Sequence, residues 1–210
     1  MSDDLVLVAD VDREQVRWLW PGRIPLGKVS VLDGDPGTGK STLTLTMAAK
    51  VTTGSPFPDG TRPELADVIF LNAEDDIGDT IRPRLEAAGA DLARCWVLPD
   101  VHPEGAPPRP PELPADLFLL EDLVKSKGAA LVILDPLMAL LSGSVDSHRD
   151  QDVRRVLASL AAMAARTGAA VVIVRHMNKG GTGGSAPVPR VGLHWHCRRR
   201  SGRAAGRPRP

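Results

Sequence analysis

An α/β fold built on a mostly parallel central sheet is what this sequence predicts, and three observations carry the prediction. Short apolar runs rich in β-branched residues alternate with helical patterns along the chain, the order of a parallel sheet covered on both faces. Several of those runs end in acidic or polar residues instead of fading into loops. The first passes straight into a glycine-rich turn, Val29-Ser-Val-Leu-Asp-Gly34-Asp-Pro-Gly-Thr-Gly39-Lys40-Ser41-Thr42.

Taken in order, the strand candidates are Val29–Asp33, Val68–Asn72, Cys95–Leu98, Ala130–Asp135 and Ala169–Arg175. Helix patterns at Gly39–Val51, Thr80–Ala88, Pro114–Lys125 and Asp150–Thr167 separate them. In the last helix Val153, Val156, Leu157, Leu160 and Met163 recur at spacings of three and four, one stripe aimed at the sheet. Gly89, Gly128 and Gly168 each stand just past a helix, where a left-handed closing residue is wanted. Thr53–Asp67 and Asp100–Pro114 are rich in Pro and Gly and are expected to be loops.

Bulk composition narrows the class. A chain of 210 residues with 42% hydrophobic and 25% charged residues fits one soluble globular domain with a proper core. No apolar run approaches the ~20 residues that span a bilayer, and the start MSDDLVLVAD lacks a signal pattern, so no membrane partner is expected. Cys95 and Cys197 lie far apart and show no metal or redox spacing, which makes a reducing, cytoplasmic setting the default. The net charge of zero hides a split. Residues 186–210 carry seven arginines and no acid, so the rest of the chain is acidic.

The chemistry begins at the glycine turn. Gly34, four residues, then Gly39-Lys40-Ser41 is the spacing of a phosphate-binding loop between a strand and a helix. Backbone N–H groups over Gly34, Asp35, Pro36, Gly37, Thr38, Gly39, Lys40, Ser41 and Thr42 would wrap a phosphate, proline alone lacking one, with the helix dipole behind it. Lys40 is then placed to reach the β- and γ-phosphates of ATP, and the Ser41 hydroxyl to ligate Mg²⁺. Leu131-Val-Ile-Leu-Asp135 is an apolar strand ending in the carboxylate that such a loop needs for its metal, although a helix-capping Asp fits the same pattern. Val68-Ile-Phe-Leu-Asn72-Ala73-Glu74-Asp75-Asp76 offers Glu74 to polarise an attacking water, with Asp75 and Asp76 as caps for the next helix. Val171-Val-Ile-Val-Arg175-His176-Met-Asn178-Lys179 ends a third strand in groups that seek phosphate. His176 is the candidate γ-phosphate sensor, and a plain surface histidine is its rival reading.

With those strand ends placed, the chain resembles the RecA-like P-loop ATPases, in the AAA-type branch that includes the hexameric plasmid replicative helicase RepA, with KaiC and DnaB more distant. The resemblance covers roughly residues 18–180, from Trp18-Leu-Trp-Pro-Gly-Arg-Ile-Pro-Leu-Gly-Lys28 through the phosphate loop, Asn72-Ala-Glu74-Asp75 and Ile81-Arg-Pro-Arg-Leu85 to Asp135-Pro-Leu and Arg175-His-Met-Asn-Lys179. It implies a three-layer RecA-like core over residues 1–185 that hydrolyses ATP, with Glu74 as catalytic carboxylate and His176 as sensor. It further implies a homo-oligomeric ring, a hexamer in relatives, whose neighbouring subunit completes each site. A helicase or plasmid-replication role on single-stranded DNA follows by analogy of fold alone. Two rivals stand beside it: an ATP-binding remnant with little turnover, and a small-molecule kinase using Arg82 and Arg84 as lid arginines.

The departure from the family lies in 186–210, where APVPRVGLHWHCRRRSGRAAGRPRP shows no strand periodicity and the last strands of the sheet are expected to be missing. These residues can be encoded so that the frame one base later reads Leu-Tyr-Arg-Gly, one residue, then Gly-Ser-Ile-Gly-Ile-Val-Gly-Ala-Ala. That is the kind of pattern the family carries after its His-containing strand, and it marks the tail as frame-shifted and unstructured. A zinc site at His194-Trp-His196-Cys197 lacks the usual paired spacing, and an arginine arm for nucleic acid is the other alternative.

Overall fold

The computed structural model describes residues 6–143, 150–176 and 194–197. Five parallel strands make the central sheet: β3 (Val29–Gly34), β4 (Asp67–Asn72), β5 (Cys95–Val97), β6 (Ala129–Asp135) and β7 (Ala170–His176), in the spatial order β5-β4-β6-β7-β3. Helices α1 (Lys40–Thr53) and α2 (Arg82–Ala88) cover one face, and α3 (Leu117–Lys127) and α4 (Asp150–Thr167) cover the other. This is the three-layer α/β architecture the alternating pattern predicts.

Side-chain alternation explains why the strands read as unbroken apolar runs. Val68, Phe70, Leu131, Ile133, Ala170 and Val172 face the core under α1 and α2. Ile69, Leu71, Val132, Leu134, Val171 and Ile173 face the core under α3 and α4. Burial on both faces leaves little room for polar residues before the strand ends, Ser30 in β3 being a buried exception. Of the predicted stripe of α4, Val156, Leu157, Leu160 and Met163 are at 3% exposure or less, while Val153 is half-buried at its margin. Gly89, Gly128 and Gly168 close their helices at φ of 76°, 62° and 74°, conformations a side chain would resist.

Two features were not anticipated. Trp18–Trp20 (β1) and Ile24–Pro25 (β2) form a small antiparallel hairpin ahead of the sheet. It is bolted to the loop before β4: the Trp20 and Phe57 rings stack 4.5 Å apart and 5° from parallel. Trp20 Nε1 and Arg23 Nη1 both donate to Asp59 Oδ2, at 2.8 and 2.6 Å. Hydrogen bonds from Thr61 and Trp20 hold the Asp59 carboxyl down at about 2. The second feature corrects the expectation that the tail adds no strand. His194–Cys197 forms β8, parallel to the edge of β3 with Val31 opposite His194 and Gly34 opposite Cys197. Unpaired N–H and C=O groups along β3 accept a backbone partner whatever its side-chain pattern. The rest of 186–210 lies outside the described residues, as do Asn178 and Lys179.

The proline-rich loop after β5 is tied down as well. Val101 and Arg109 exchange backbone hydrogen bonds at 2.7 and 3.0 Å, and the Arg109 guanidinium forks onto Asp116 at 2.7 and 2.9 Å. No helix among the described residues is long and apolar enough to cross a membrane.

Two outcomes follow from this packing. Leu160→Ala, at a fully buried position on α4, is expected to lower unfolding free energy by about 2–5 kcal/mol in urea titration. Glu121 on α3 accepts from Arg166 of α4 at 2.6 and 3.0 Å and from Lys125 at 2.7 Å. Those bonds, Arg166's foremost, lower its carboxyl from 4.5 to about 2. A depressed folded pKa means this stabilisation is complete above the unfolded value and drains away as pH falls through the folded one. Glu121→Gln should therefore flatten the fall of the urea midpoint between about pH 5 and about pH 2.

Candidate functional site

Parallel pairing delivers the carboxyl ends of β3, β4, β6 and β7 to one edge of the sheet, and the candidate residues gather there. Gly34 ends β3 and stands in register with His176, the last residue of β7. Asn72 ends β4 in register with Asp135, the last residue of β6. The side chain of His176 lies outside the described set.

The loop between β3 and α1 is shaped by its glycines. Gly37 and Gly39 take φ of 73° and 86°, left-handed values that turn successive backbone groups toward a common centre. Nothing lies within 4 Å of where a Cβ would stand on either, so the loop's outer surface is open. Asp35, Pro36, Gly37, Gly39 and Thr42 are exposed, and Thr38 donates its hydroxyl to Asp35 O at 2.8 Å. Lys40 opens α1 and is 3% exposed. Its ammonium donates to Gly34 O and Asp35 O, both at 2.8 Å. The positive group is thus held inside the loop's curve by the loop's own carbonyls.

Ser41, Thr44, Asn72, Asp75, Arg84 and Asp135 line one cleft beside that loop. Asp135 is 8% exposed. A hydroxyl and a buried carboxylate form an all-oxygen donor set, which suits Mg²⁺ and not a thiolate-seeking ion. Among the described residues, no group of three or more His, Cys, Asp or Glu could make a metal cage. Mg²⁺ is commonly held by one or two protein oxygens and completed by phosphate and water. Bound there, Mg²⁺ would neutralise charge on the phosphate oxygens.

Glu74 sits apart from this cleft. It is exposed and lines a neighbouring hollow of the carboxyl edge, walled by Pro99, Pro110 and Pro111. Asn72 and Asp75 line both spaces. The turn carrying Glu74 is set by Asn72, whose Oδ1 accepts from the N–H groups of Glu74 and Asp75 at 2.9 and 2.8 Å. Of the three acids, only Asp76 is a helix cap, accepting from Gly78 N and Asp79 N at 2.7 and 3.0 Å. Asp75, expected to cap, instead accepts from Arg84 Nη1 at 3.1 Å inside the cleft. The pairing of Asp75 with Arg84 in the cleft differs from the roles the sequence suggests, a helix cap for Asp75 and a lid arginine for Arg84. Asp76 caps the short helical turn Ile77–Ile81 that leads into α2, and Arg84 is the third residue of α2.

Asp76→Ala should cost about 1 kcal/mol through loss of the cap. The check is thermal or urea unfolding, with Asp75→Ala as the comparison that leaves the cap intact.

Against this geometry the comparisons with known proteins are informative. The AAA domain family model matches residues 3–182. The DNA repair protein RadA of Halalkalibacterium halodurans is 25% identical over 178 residues, covering 82% of this chain and 33% of that protein. The chain therefore spans about a third of the length of that relative. A phosphate loop between β3 and α1, a buried Asp at the end of β6 and a match over most of the chain together give its family: the chain belongs to the AAA domain family, within the RecA-like P-loop ATPases.

Proposed function

We propose that this chain binds ATP with Mg²⁺ and hydrolyses it as the motor domain of a machine that works on DNA. The observation that carries the reading is the position of Lys40. Its buried ammonium lies within the curve of a left-handed glycine loop, one residue from a serine that shares a cleft with Asp135. In this reading Lys40 and the loop amides hold the β- and γ-phosphates, and Ser41 and Asp135 hold Mg²⁺. Glu74 orients and deprotonates the attacking water, taking its proton at the carboxylate. His176, level with Gly34, contacts the γ-phosphate. A homo-oligomeric ring of the RepA kind would bring an arginine from the neighbouring subunit, and single-stranded DNA is the substrate track. The DNA role draws on the resemblance to replicative helicases and on similarity to a protein named for DNA repair.

A second reading, an ATP-binding remnant of low turnover, is favoured by one observation: Glu74 is exposed in the hollow next to the cleft. Kinetics separate the two. Lys40→Ala should weaken ATP affinity at least 10-fold in equilibrium titration, by about the loss of one charge-assisted contact. Glu74→Gln should keep that affinity within about twofold and lower phosphate release by about 10²-fold or more, the usual worth of a general base. Negligible phosphate release by a parent that still binds ATP selects the remnant, whereas brisk release equal in parent and Glu74→Gln removes Glu74 from the role. Stimulation by single-stranded DNA tests the motor role separately.

A further inference from the structure

Asp33 immediately precedes the phosphate loop, and none of it reaches solvent. A carboxylate in that setting requires a partner. Arg175 supplies one: its Nε donates to Asp33 Oδ1 at 2.7 Å and its Nη2 to Oδ2 at 3.0 Å. The two residues stand opposite each other on adjacent parallel strands, and the next pair in the same register is Gly34 and His176. The contact therefore joins β3 and β7 one residue before each leaves the sheet.

Neither residue lines the cleft of Ser41 and Asp135. Asp33 shares its strand face with Val29, which packs in the core beneath α3 and α4, whereas α1 covers the opposite face. The pair is thus outside the phosphate site but directly behind it. A guanidinium fork on a carboxylate fixes both separation and rotation of the groups it joins, because two parallel hydrogen bonds resist sliding and twisting together. A lysine would fix one point only.

We infer that Asp33 and Arg175 are a positioning pair that holds the carboxyl end of β7, and with it His176, at a set place against the first glycine of the phosphate loop. The inference deepens the proposed function and rests on its reading of His176 as the contact to the γ-phosphate. A hydrogen bond to a phosphate oxygen falls off steeply with misplacement, so the strand end carrying the donor must be held as firmly as the loop that carries the ligand.

The test compares ATP with ADP, since only ATP has the phosphate that His176 would meet. Affinities of both nucleotides with Mg²⁺ are measured by calorimetry on the full chain as parent, Arg175→Lys, Asp33→Asn, His176→Ala and the Arg175→Lys/His176→Ala double variant. Thermal unfolding of each confirms that it is folded, and Asp33→Asn carries the comparison if Arg175→Lys does not fold. The parent is expected to prefer ATP. Arg175→Lys should lower that preference about 10-fold, the worth of one charge-assisted hydrogen bond, with ADP affinity kept within about twofold. The double variant should lose no more preference than His176→Ala alone, because the pair acts through that residue.

Equal weakening of ATP and ADP by Arg175→Lys would reduce the pair to a general structural tie and overturn the inference. So would an unchanged preference, an additive loss in the double variant, or a parent that binds ATP and ADP alike. A parent that binds neither nucleotide overturns the proposed function itself, and the inference falls with it.

Discussion

Everything in this fold depends on one constraint, that the five core strands run the same way. Parallel ladders leave no hairpin route between neighbours, so each strand must be followed by a crossover, and the crossovers bury both faces of the sheet. The acidic and polar candidates of the site are thereby collected at the carboxyl edge of the sheet. Asn72, Asp135 and His176 each terminate a strand, and Asp33 and Arg175 stand one residue short of an end. The clustering of functional candidates is a product of strand direction before it is a product of any side chain.

Within that edge, each local choice agrees with the next. Two glycines take up left-handed backbone, and α1 begins at the residue after the second of them. The lysine that opens the helix turns its ammonium back onto two carbonyls of the same loop, so a buried charge is held by two hydrogen bonds. Agreement of backbone, helix start and charge is what separates a phosphate loop from any glycine-rich turn.

The core strands and helices were legible in the sequence because they obey short periods. All five core strands appear within a residue or two of their expected bounds, and α4 spans Asp150–Thr167 as its stripe requires. The β1–β2 hairpin was not legible: strands of three and two residues carry too little periodicity, and what stabilises it is contact with Phe57 and Asp59, some forty residues on. β8 escaped for a related reason, since an edge strand formed by backbone bonds needs no side-chain pattern. Around the site, motif spacing located Lys40, Ser41 and Asp135. It could not distribute three consecutive acids, because which of Glu74, Asp75 and Asp76 enters the cleft is decided by the Asn72 turn and by the reach of Arg84. The first is a side-chain turn closed within three residues and the second a contact across nine.

The Asp59 clamp has a consequence for how this domain tolerates change. Its carboxylate takes donors from Trp20, Arg23 and Thr61, three residues spread over two separate stretches of chain. Convergence of that kind makes the length of the connection itself a structural parameter: adding or deleting one residue between Phe57 and Thr61 would move the carboxylate out of reach of the hairpin. Natural variation in length is therefore better accommodated in the turn between Val101 and Arg109, whose tip at Pro103–Ala106 is closed by a single local backbone bond. Two stretches that look alike in proline and glycine content thus differ in evolutionary freedom, one being a fixed brace and the other a place where insertions can accumulate.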